Sequence, residues 1–123
     1  MKVLYVDDDA DDGEIFQEAI RTIDASINCV IVSTGMEAIQ RIAEECPDYI
    51  FLDYHMPLMN GVEVLKEIQL HSCSKETRII MYSTTMNDLT MKECKELGVY
   101  DCLEKSTEFL LLCAVLKKAL GLG

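Results

Sequence analysis

The chain has 123 residues, of which half are hydrophobic and 27% are charged, so its composition is that of a globular domain rather than a disordered segment. Its 22 acidic residues against 11 basic ones give a net charge of -11, which argues against a nucleic-acid-binding surface and against binding to anionic membranes. No stretch has the pattern of a signal peptide or a membrane span, so we expect a cytoplasmic protein.

Strand and helix patterns alternate five times along the chain. The first strand is predicted at Val3–Val6, directly before three consecutive aspartates, and helical spacing of apolar residues follows over Asp11–Ile23. A second strand at Asn28–Val32 leads to a helix over Met36–Glu45, and Pro47 enforces the end of that helix.

The third strand, Tyr49–Leu52, is a continuous apolar run of the kind that is buried on both faces of a parallel sheet. Asp53 follows at its carboxyl end, the edge at which ligands bind in open α/β sheets. The loop after it contains Pro57, and a third helix is predicted to begin near Gly61. On position alone, Asp53 could equally be a residue that only caps a turn.

The fourth strand is predicted at Arg78–Tyr82 and runs into Ser83. A helix over Asn87–Leu97 has the weakest apolar stripe of the five, so we expect it to be the most mobile helix, and Gly98 is predicted to cap it.

A short fifth strand is predicted at Tyr100–Leu103, ending beside Lys105. Ser106 is predicted to be the N-cap of a last helix that stops at Gly121. The apolar residues that we expect to face inward from the second and the last helix are Ala38, Ile39, Ile42, Ala43, Phe109, Leu112, Cys113, Leu116 and Leu120.

This alternation predicts an α/β fold in which a parallel five-stranded sheet carries helices on both faces. We find no repeat, linker or low-complexity segment, and expect residues 1–123 to form a single domain with no output domain. The six cysteines form no CxxC pair, and we expect them to be reduced and mostly buried. They are Cys29, Cys46, Cys73, Cys94, Cys102 and Cys113.

Polar side chains follow four of the predicted strands, and in a parallel sheet these ends meet at one edge. They are Asp7, Asp8 and Asp9, then Asp53, then Ser83 and Thr84, then Lys105. Two carboxylates about 4–5 Å apart repel by roughly 3–4 kcal/mol at an effective dielectric constant of about 20, so an ionised cluster needs a cation. Ligands that are all oxygens favour a hard ion such as Mg²⁺.

A carboxylate, a hard metal, an ammonium and a hydroxyl together suit a site in which Asp53 attacks phosphorus. Lys105 could also form a structural salt bridge with an aspartate, and both roles can hold. For Asp9 we expect no more than solvation.

These residues resemble the receiver domain of two-component response regulators over essentially the whole chain. The resemblance rests on Asp7-Asp8 after an apolar strand, on the block Asp53-Tyr54-His55-Met56-Pro57-Leu58-Met59-Asn60-Gly61, and on Ser83 and Lys105 in register. It implies a stand-alone, chemotaxis-regulator-like receiver with a flavodoxin-like (βα)5 fold, a doubly wound sheet and the strand order 2-1-3-4-5.

The resemblance also implies a role for each site residue. Asp53 would be the phosphoacceptor, served by a phosphohistidine on a histidine kinase or phosphotransfer protein. Asp8 and Asp53 would bind Mg²⁺ directly with the backbone carbonyl of His55, and Asp7 would act through water. Ser83 would bind the phosphoryl group and Lys105 would pair with it.

Such a protein is not an enzyme with independent turnover. It would exist as a monomer or weak dimer and signal through its fourth helix, fifth strand and fifth helix to a protein target that the sequence does not identify.

Three positions depart from the family pattern: Ser106 replaces the usual proline, Cys102 the usual aromatic residue, and Thr84 a smaller residue. Two alternatives therefore stay open. One is a protein-interaction module that signals without phosphorylation. The other is a Mg²⁺-dependent phosphohydrolase that forms an aspartyl-phosphate, although His55 stands where such enzymes usually carry a second aspartate. Neither His55 nor His71 lies in the helical-bundle pattern of a phosphohistidine carrier.

Overall fold

The computed structural model describes residues 1–70 and 76–123, so His71 and Cys73 lie outside the described residues. The strands are β1 (Lys2–Val6), β2 (Asn28–Val32), β3 (Tyr49–Leu52), β4 (Arg78–Ser83) and β5 (Asp101–Glu104). They alternate with the helices α1 (Ala10–Ile23), α2 (Gly35–Glu44), α3 (Gly61–Ile68), α4 (Asp88–Glu96) and α5 (Phe109–Ala119). All strand pairs are parallel and their order is β2-β1-β3-β4-β5, which confirms the predicted fold.

The centre of the sheet is buried on both faces, as the apolar run of β3 predicts. Every residue of β3 is buried, and its alternate side chains enter two separate cores. One core, which we call the aliphatic core, contains Ile50 and Leu52 with residues of α2, α3 and α4. The other, which we call the aromatic core, contains Tyr49 and Phe51 with residues of α1 and α5.

Two of the residues predicted to face inward are exposed. Ala43 lies one position past Ile42, outside the buried stripe of α2 formed by Ala38 and Ile42. Phe109 is the first residue of α5 and lies over a cleft beside Lys105 instead of under the helix.

The predicted cap of α5 is also wrong. Glu108 is the N-cap, and its carboxylate accepts the N–H groups of Leu110 and Leu111 at 3.2 and 3.1 Å. The Ser106 hydroxyl instead accepts the N–H of Glu108 at 3.2 Å, which forms a turn ahead of the helix. The helix therefore begins later than the sequence predicts.

Helix α4 is the least buried helix, in line with its weak apolar stripe. Of its residues only Cys94 is buried, whereas Leu89 is exposed. Gly98 has a φ of +89° and ends the helix as predicted, because the N–H groups of Gly98 and Val99 return to the carbonyls of Lys95 and Cys94. The mobility of α4 stays a prediction.

No two of the described cysteines form a disulfide with each other. Cys94, Cys102 and Cys113 are buried, Cys29 is half-buried and Cys46 is exposed, so the described cysteines are mostly buried, as predicted. None of the helices in the described ranges combines the length and the apolarity that crossing a bilayer requires.

Candidate functional site

The ends of β1 and β3 bring three aspartates together. Val6 and Leu52 are neighbours in the sheet, and the backbone N–H of Asp53 extends this pairing by donating to the carbonyl of Val6 at 3.0 Å. One carboxylate oxygen from each of Asp7, Asp8 and Asp53 lies within 4.8 Å of the others. Asp7 and Asp53 are buried and Asp8 is exposed, so the group opens to solvent on one side.

Asp53 has little contact with water, since only 5% of its surface is exposed. Its Oδ1 atom accepts the backbone N–H of His55 at 3.2 Å, and its Oδ2 atom lies 3.5 Å from the ammonium of Lys105. Burial raises the pKa of Asp53 well above that of an ordinary carboxyl; the Lys105 charge opposes this rise and the Asp7 charge adds to it.

Lys105 connects the site to α1. Its backbone N–H donates to the carbonyl of Ser83 at 2.7 Å, and its Nζ atom donates to Asp7 Oδ2 at 2.7 Å and to Asp12 Oδ2 at 2.9 Å. Burial by itself lowers the pKa of Lys105, but the hydrogen bonds to both carboxylates raise it overall. The predicted salt bridge is therefore present, and Asp12 is a partner that the sequence analysis missed.

Asp7 is the most heavily hydrogen-bonded carboxylate of the group. Its Oδ2 atom accepts both Lys105 and the hydroxyl of Tyr5, and its Oδ1 atom accepts the N–H of Asp9 at 3.0 Å. Burial raises the pKa of Asp7, but the hydrogen bonds from Lys105 and Tyr5 outweigh it and lower that pKa. Asp7 therefore stays ionised.

Ser83 is the last residue of β4 and is fully buried. Its Oγ atom has no hydrogen-bond partner among the described residues. A buried hydroxyl without a partner costs free energy, so Ser83, at the same strand edge as Asp7 and Asp53, offers a donor for which the described residues provide no acceptor.

Two of the candidate residues do not turn toward this group. The carboxylate of Asp9 is exposed, as expected, but it also caps α1 by accepting the N–H groups of Asp11 and Asp12 at 2.9 and 3.2 Å. Thr84 is exposed at the rim. His55 contacts the site through its backbone N–H, which donates to Asp53. The binding of Mg²⁺ by its carbonyl stays a prediction.

The donor set suits a small divalent cation. Asp7, Asp8 and Asp53 supply only carboxylate oxygens, with no thiolate or imidazole among them, as a hard ion such as Mg²⁺ prefers. The unpartnered hydroxyl of Ser83 and the ammonium of Lys105 add two donors that suit an anion beside such a cation.

A family model described as the response regulator receiver domain matches residues 3–117. The chain belongs to this family. Among curated relatives, it is 35% identical over 108 residues to a protein-glutamate methylesterase/protein-glutamine glutaminase of Bacillus licheniformis, with 85% of this chain and 29% of the relative covered. The chain spans less than half the length of such relatives.

Solved receiver structures have the same fold as this chain. The chemotaxis protein CheY4 of Vibrio cholerae superposes with a TM-score of 0.84 at 28% identity, covering 95% of this chain and 96% of that one. The Mn²⁺-bound form of the response regulator Rcp1 superposes with a TM-score of 0.85 at 25% identity, covering 97% of this chain and 94% of that one. The protein is thus a receiver domain of the kind used in two-component systems.

Proposed function

We propose that this receiver accepts a phosphoryl group on Asp53 from the phosphohistidine of a histidine kinase or phosphotransfer protein, in a reaction that needs Mg²⁺. The observation that carries the proposal is the buried carboxylate of Asp53. It lies at the end of a central strand, with oxygens of Asp7 and Asp8 within 4.8 Å and the Lys105 ammonium 3.5 Å away.

In the transfer, an oxygen of Asp53 forms a bond to phosphorus while the bond from phosphorus to the donor's imidazole nitrogen breaks. The electron pair of the broken bond stays on the imidazole. A Mg²⁺ ion bound by Asp8, Asp53 and the His55 carbonyl, with Asp7 acting through water, would offset the negative charge of the phosphoryl oxygens. The β1 and β3 backbone keeps the Asp53 carboxylate at the rim, where the donor can approach it.

Lys105 and Ser83 would receive the new group. The Lys105 ammonium already faces Asp53 Oδ2, so a small movement brings it to an oxygen on phosphorus. The Ser83 hydroxyl would gain the acceptor that it lacks. Moving Lys105 toward the phosphoryl group weakens its pairs with Asp7 and Asp12, which links phosphorylation to the packing of α1.

The phosphorylated domain would signal by a changed surface at α4, β5 and α5 to a downstream protein. It would act as a monomer or weak dimer, without independent enzymatic turnover. Its acidic net charge of -11 supports a protein partner rather than a nucleic acid or an anionic membrane.

The proposal is tested by incubating the protein with phosphoramidate, whose P–N bond stands in for that of phosphohistidine, with and without Mg²⁺. We expect intact mass spectrometry to detect one added phosphoryl group with Mg²⁺ only, and none on Asp53→Asn. Asp48→Asn is the matched control, because Asp48 is exposed just before the same strand and its carboxylate accepts, among the described residues, only the N–H of Lys2 at 2.7 Å. It should be phosphorylated like the wild type.

The same samples separate the two alternatives. A protein that binds a metal in its folded state is stabilised by that metal. A wild type that gains no phosphoryl group, and whose melting temperature does not change with Mg²⁺, would therefore indicate a module that signals without phosphorylation. Repeated turnover of a small phosphomonoester would indicate a phosphohydrolase. Either result contradicts the proposal.

A further inference from the structure

Tyr5 lies in β1, and Asp7 follows the last residue of that strand. Because the N–H of Asp7 still donates to the carbonyl of Val32 at 3.1 Å, the extended backbone continues through Asp7 and the two side chains lie on the same face of the sheet. Its ring is fully buried and stacks on that of Phe16, with centroids 4.2 Å apart and an interplanar angle of 10°. The ring of Tyr82 meets it edge-on at 5.9 Å. These contacts hold the ring of Tyr5 in place, and the ring in turn holds the hydroxyl.

The hydroxyl of Tyr5 donates to Asp7 Oδ2 at 2.5 Å. A phenol keeps its proton at neutral pH, so this hydroxyl is a hydrogen-bond donor to the carboxylate. Together with Lys105 on the same oxygen and the Asp9 N–H on the other, it fixes the plane of the Asp7 carboxylate.

The two donors on Asp7 Oδ2 differ in charge and in freedom. The Lys105 ammonium offsets the charge of Asp7, donates hydrogen bonds to Asp7 at 2.7 Å and to Asp12 at 2.9 Å, and forms an ion pair with Asp53 at 3.5 Å. The Tyr5 phenol is neutral, and among the described residues its hydroxyl makes this one hydrogen bond. It therefore orients Asp7 while leaving its negative charge available to a cation, and it stays in place when Lys105 moves.

We infer that Tyr5 is a positioning residue, whose hydroxyl holds Asp7 in the orientation that supports Mg²⁺ beside Asp53, before and after Lys105 turns to the phosphoryl group. The inference rests on the proposed function and adds to it a residue from the aromatic core. Outer groups that orient a metal-binding carboxylate typically change metal affinity about 10–100-fold when they are removed.

The test compares Tyr5→Phe with Tyr82→Phe in a calorimetric titration of the unphosphorylated protein with Mg²⁺. Both variants keep a buried ring in the aromatic core, but the Tyr82 hydroxyl makes no hydrogen bond to the described residues. We expect the Kd for Mg²⁺ to rise about 10-fold in Tyr5→Phe, and to stay near the wild-type value in Tyr82→Phe.

A second readout separates positioning from mere support of the fold. In phosphoramidate assays, Tyr5→Phe should need more Mg²⁺ for half-maximal phosphorylation but reach nearly the wild-type rate at saturating Mg²⁺. In an Asp7→Asn background, adding Tyr5→Phe should change the Kd no further, because the hydroxyl acts through that carboxylate. Full additivity of the two substitutions would contradict the inference.

If Tyr5→Phe does not fold, the wild type still gives an answer. The chain has five tyrosines and no tryptophan, so the ultraviolet difference spectrum on adding Mg²⁺ reports tyrosines alone. A buried-tyrosine signal retained in both Tyr82→Phe and Tyr54→Phe supports the inference, and its absence overturns it. A wild type that binds no Mg²⁺ overturns the proposed function as well, whereas equal Mg²⁺ affinity in wild type and Tyr5→Phe overturns the inference alone.

Discussion

The two sides of the acidic site are built in different ways. On the α1 side, Lys105 joins Asp7 and Asp12 through ion pairs, and a stack of aromatic rings supports these groups from below. On the α4 side, the loop over residues 54–60 includes the fully exposed Leu58 at a φ of 68°, and α4 buries only Cys94.

We propose that this difference separates two tasks, with the α1 side holding the carboxylates and the α4 side transmitting a change at Asp53. The ion pairs of Lys105 and the ring stack below them keep the clustered carboxylates in position. A helix with one buried side chain costs little to displace, so a change at Asp53 can move it. We expect a receiver to need both properties at one strand edge.

The largest expected effect is a loss of stability on the α1 side. Phe16 packs against Tyr5, Phe51 and Tyr82, and Phe16→Ala should lower the free energy of unfolding by about 3–5 kcal/mol. Cys94→Ala, which shortens the one buried side chain of α4, should cost about 1 kcal/mol. Urea unfolding monitored by circular dichroism measures both. Equal losses would contradict the asymmetry.

Lys105→Met should come next, with a loss of about 3 kcal/mol at neutral pH without Mg²⁺, because it leaves buried carboxylates unpaired. Adding Mg²⁺ should restore part of that loss. Lys95→Met on the exposed surface of α4 is the control and should change stability by no more than about 0.5 kcal/mol. A small effect of Lys105→Met would mean that its ion pairs do not hold the α1 side.

Asp53→Asn should raise the melting temperature at neutral pH when Mg²⁺ is absent. The pKa of Asp53 is raised in the folded protein, so the folded state holds this proton more tightly than the unfolded state. Stability therefore falls as the pH rises from the ordinary carboxyl pKa through the raised value, and the amide removes that dependence. Melting curves of both proteins across this pH range give the comparison. A wild type as stable as Asp53→Asn throughout would contradict it.

The smallest expected effect concerns the cap of α1. Asp9→Ala should lose about 1 kcal/mol of stability, because two N–H groups at the helix start lose their acceptor. Asp9→Ser should recover most of that loss. Phosphorylation should persist in both, since the contact between residue 9 and Asp7 is a backbone N–H that any residue keeps.

The sequence predicts the fold and the meeting of Asp53, Asp8 and Lys105, because five alternating strands and helices with polar strand ends leave few other arrangements. The strand and helix patterns alone do not distinguish the three consecutive aspartates, and their separate roles came from the family resemblance. Which carboxylate turns inward and which caps α1 depends on where the strand stops and the helix begins.

Contacts between elements that are distant in the sequence could not be predicted either, because they depend on how the elements pack. Asp12 meets Lys105 only because α1 packs beside α5, and nothing local marks that pairing. The contact between Tyr5 and Asp7 could have been predicted from their spacing, since residues two positions apart along an extended backbone lie on the same face. The predictions for Ala43 and Phe109 were wrong for two reasons. The apolar spacing does not determine the rotation of α2 about its axis, and it does not determine the first residue of α5.

The most direct test of the account locates the phosphoryl group. An aspartyl phosphate is a mixed anhydride that borohydride reduces, so the modified aspartate becomes homoserine and can be identified by peptide mass spectrometry. We predict homoserine at position 53 after treatment with phosphoramidate and Mg²⁺, and none when Mg²⁺ is omitted. Homoserine at position 7 or 8, or at position 53 regardless of Mg²⁺, would contradict the claim that three aspartates and a divalent cation make Asp53 the acceptor.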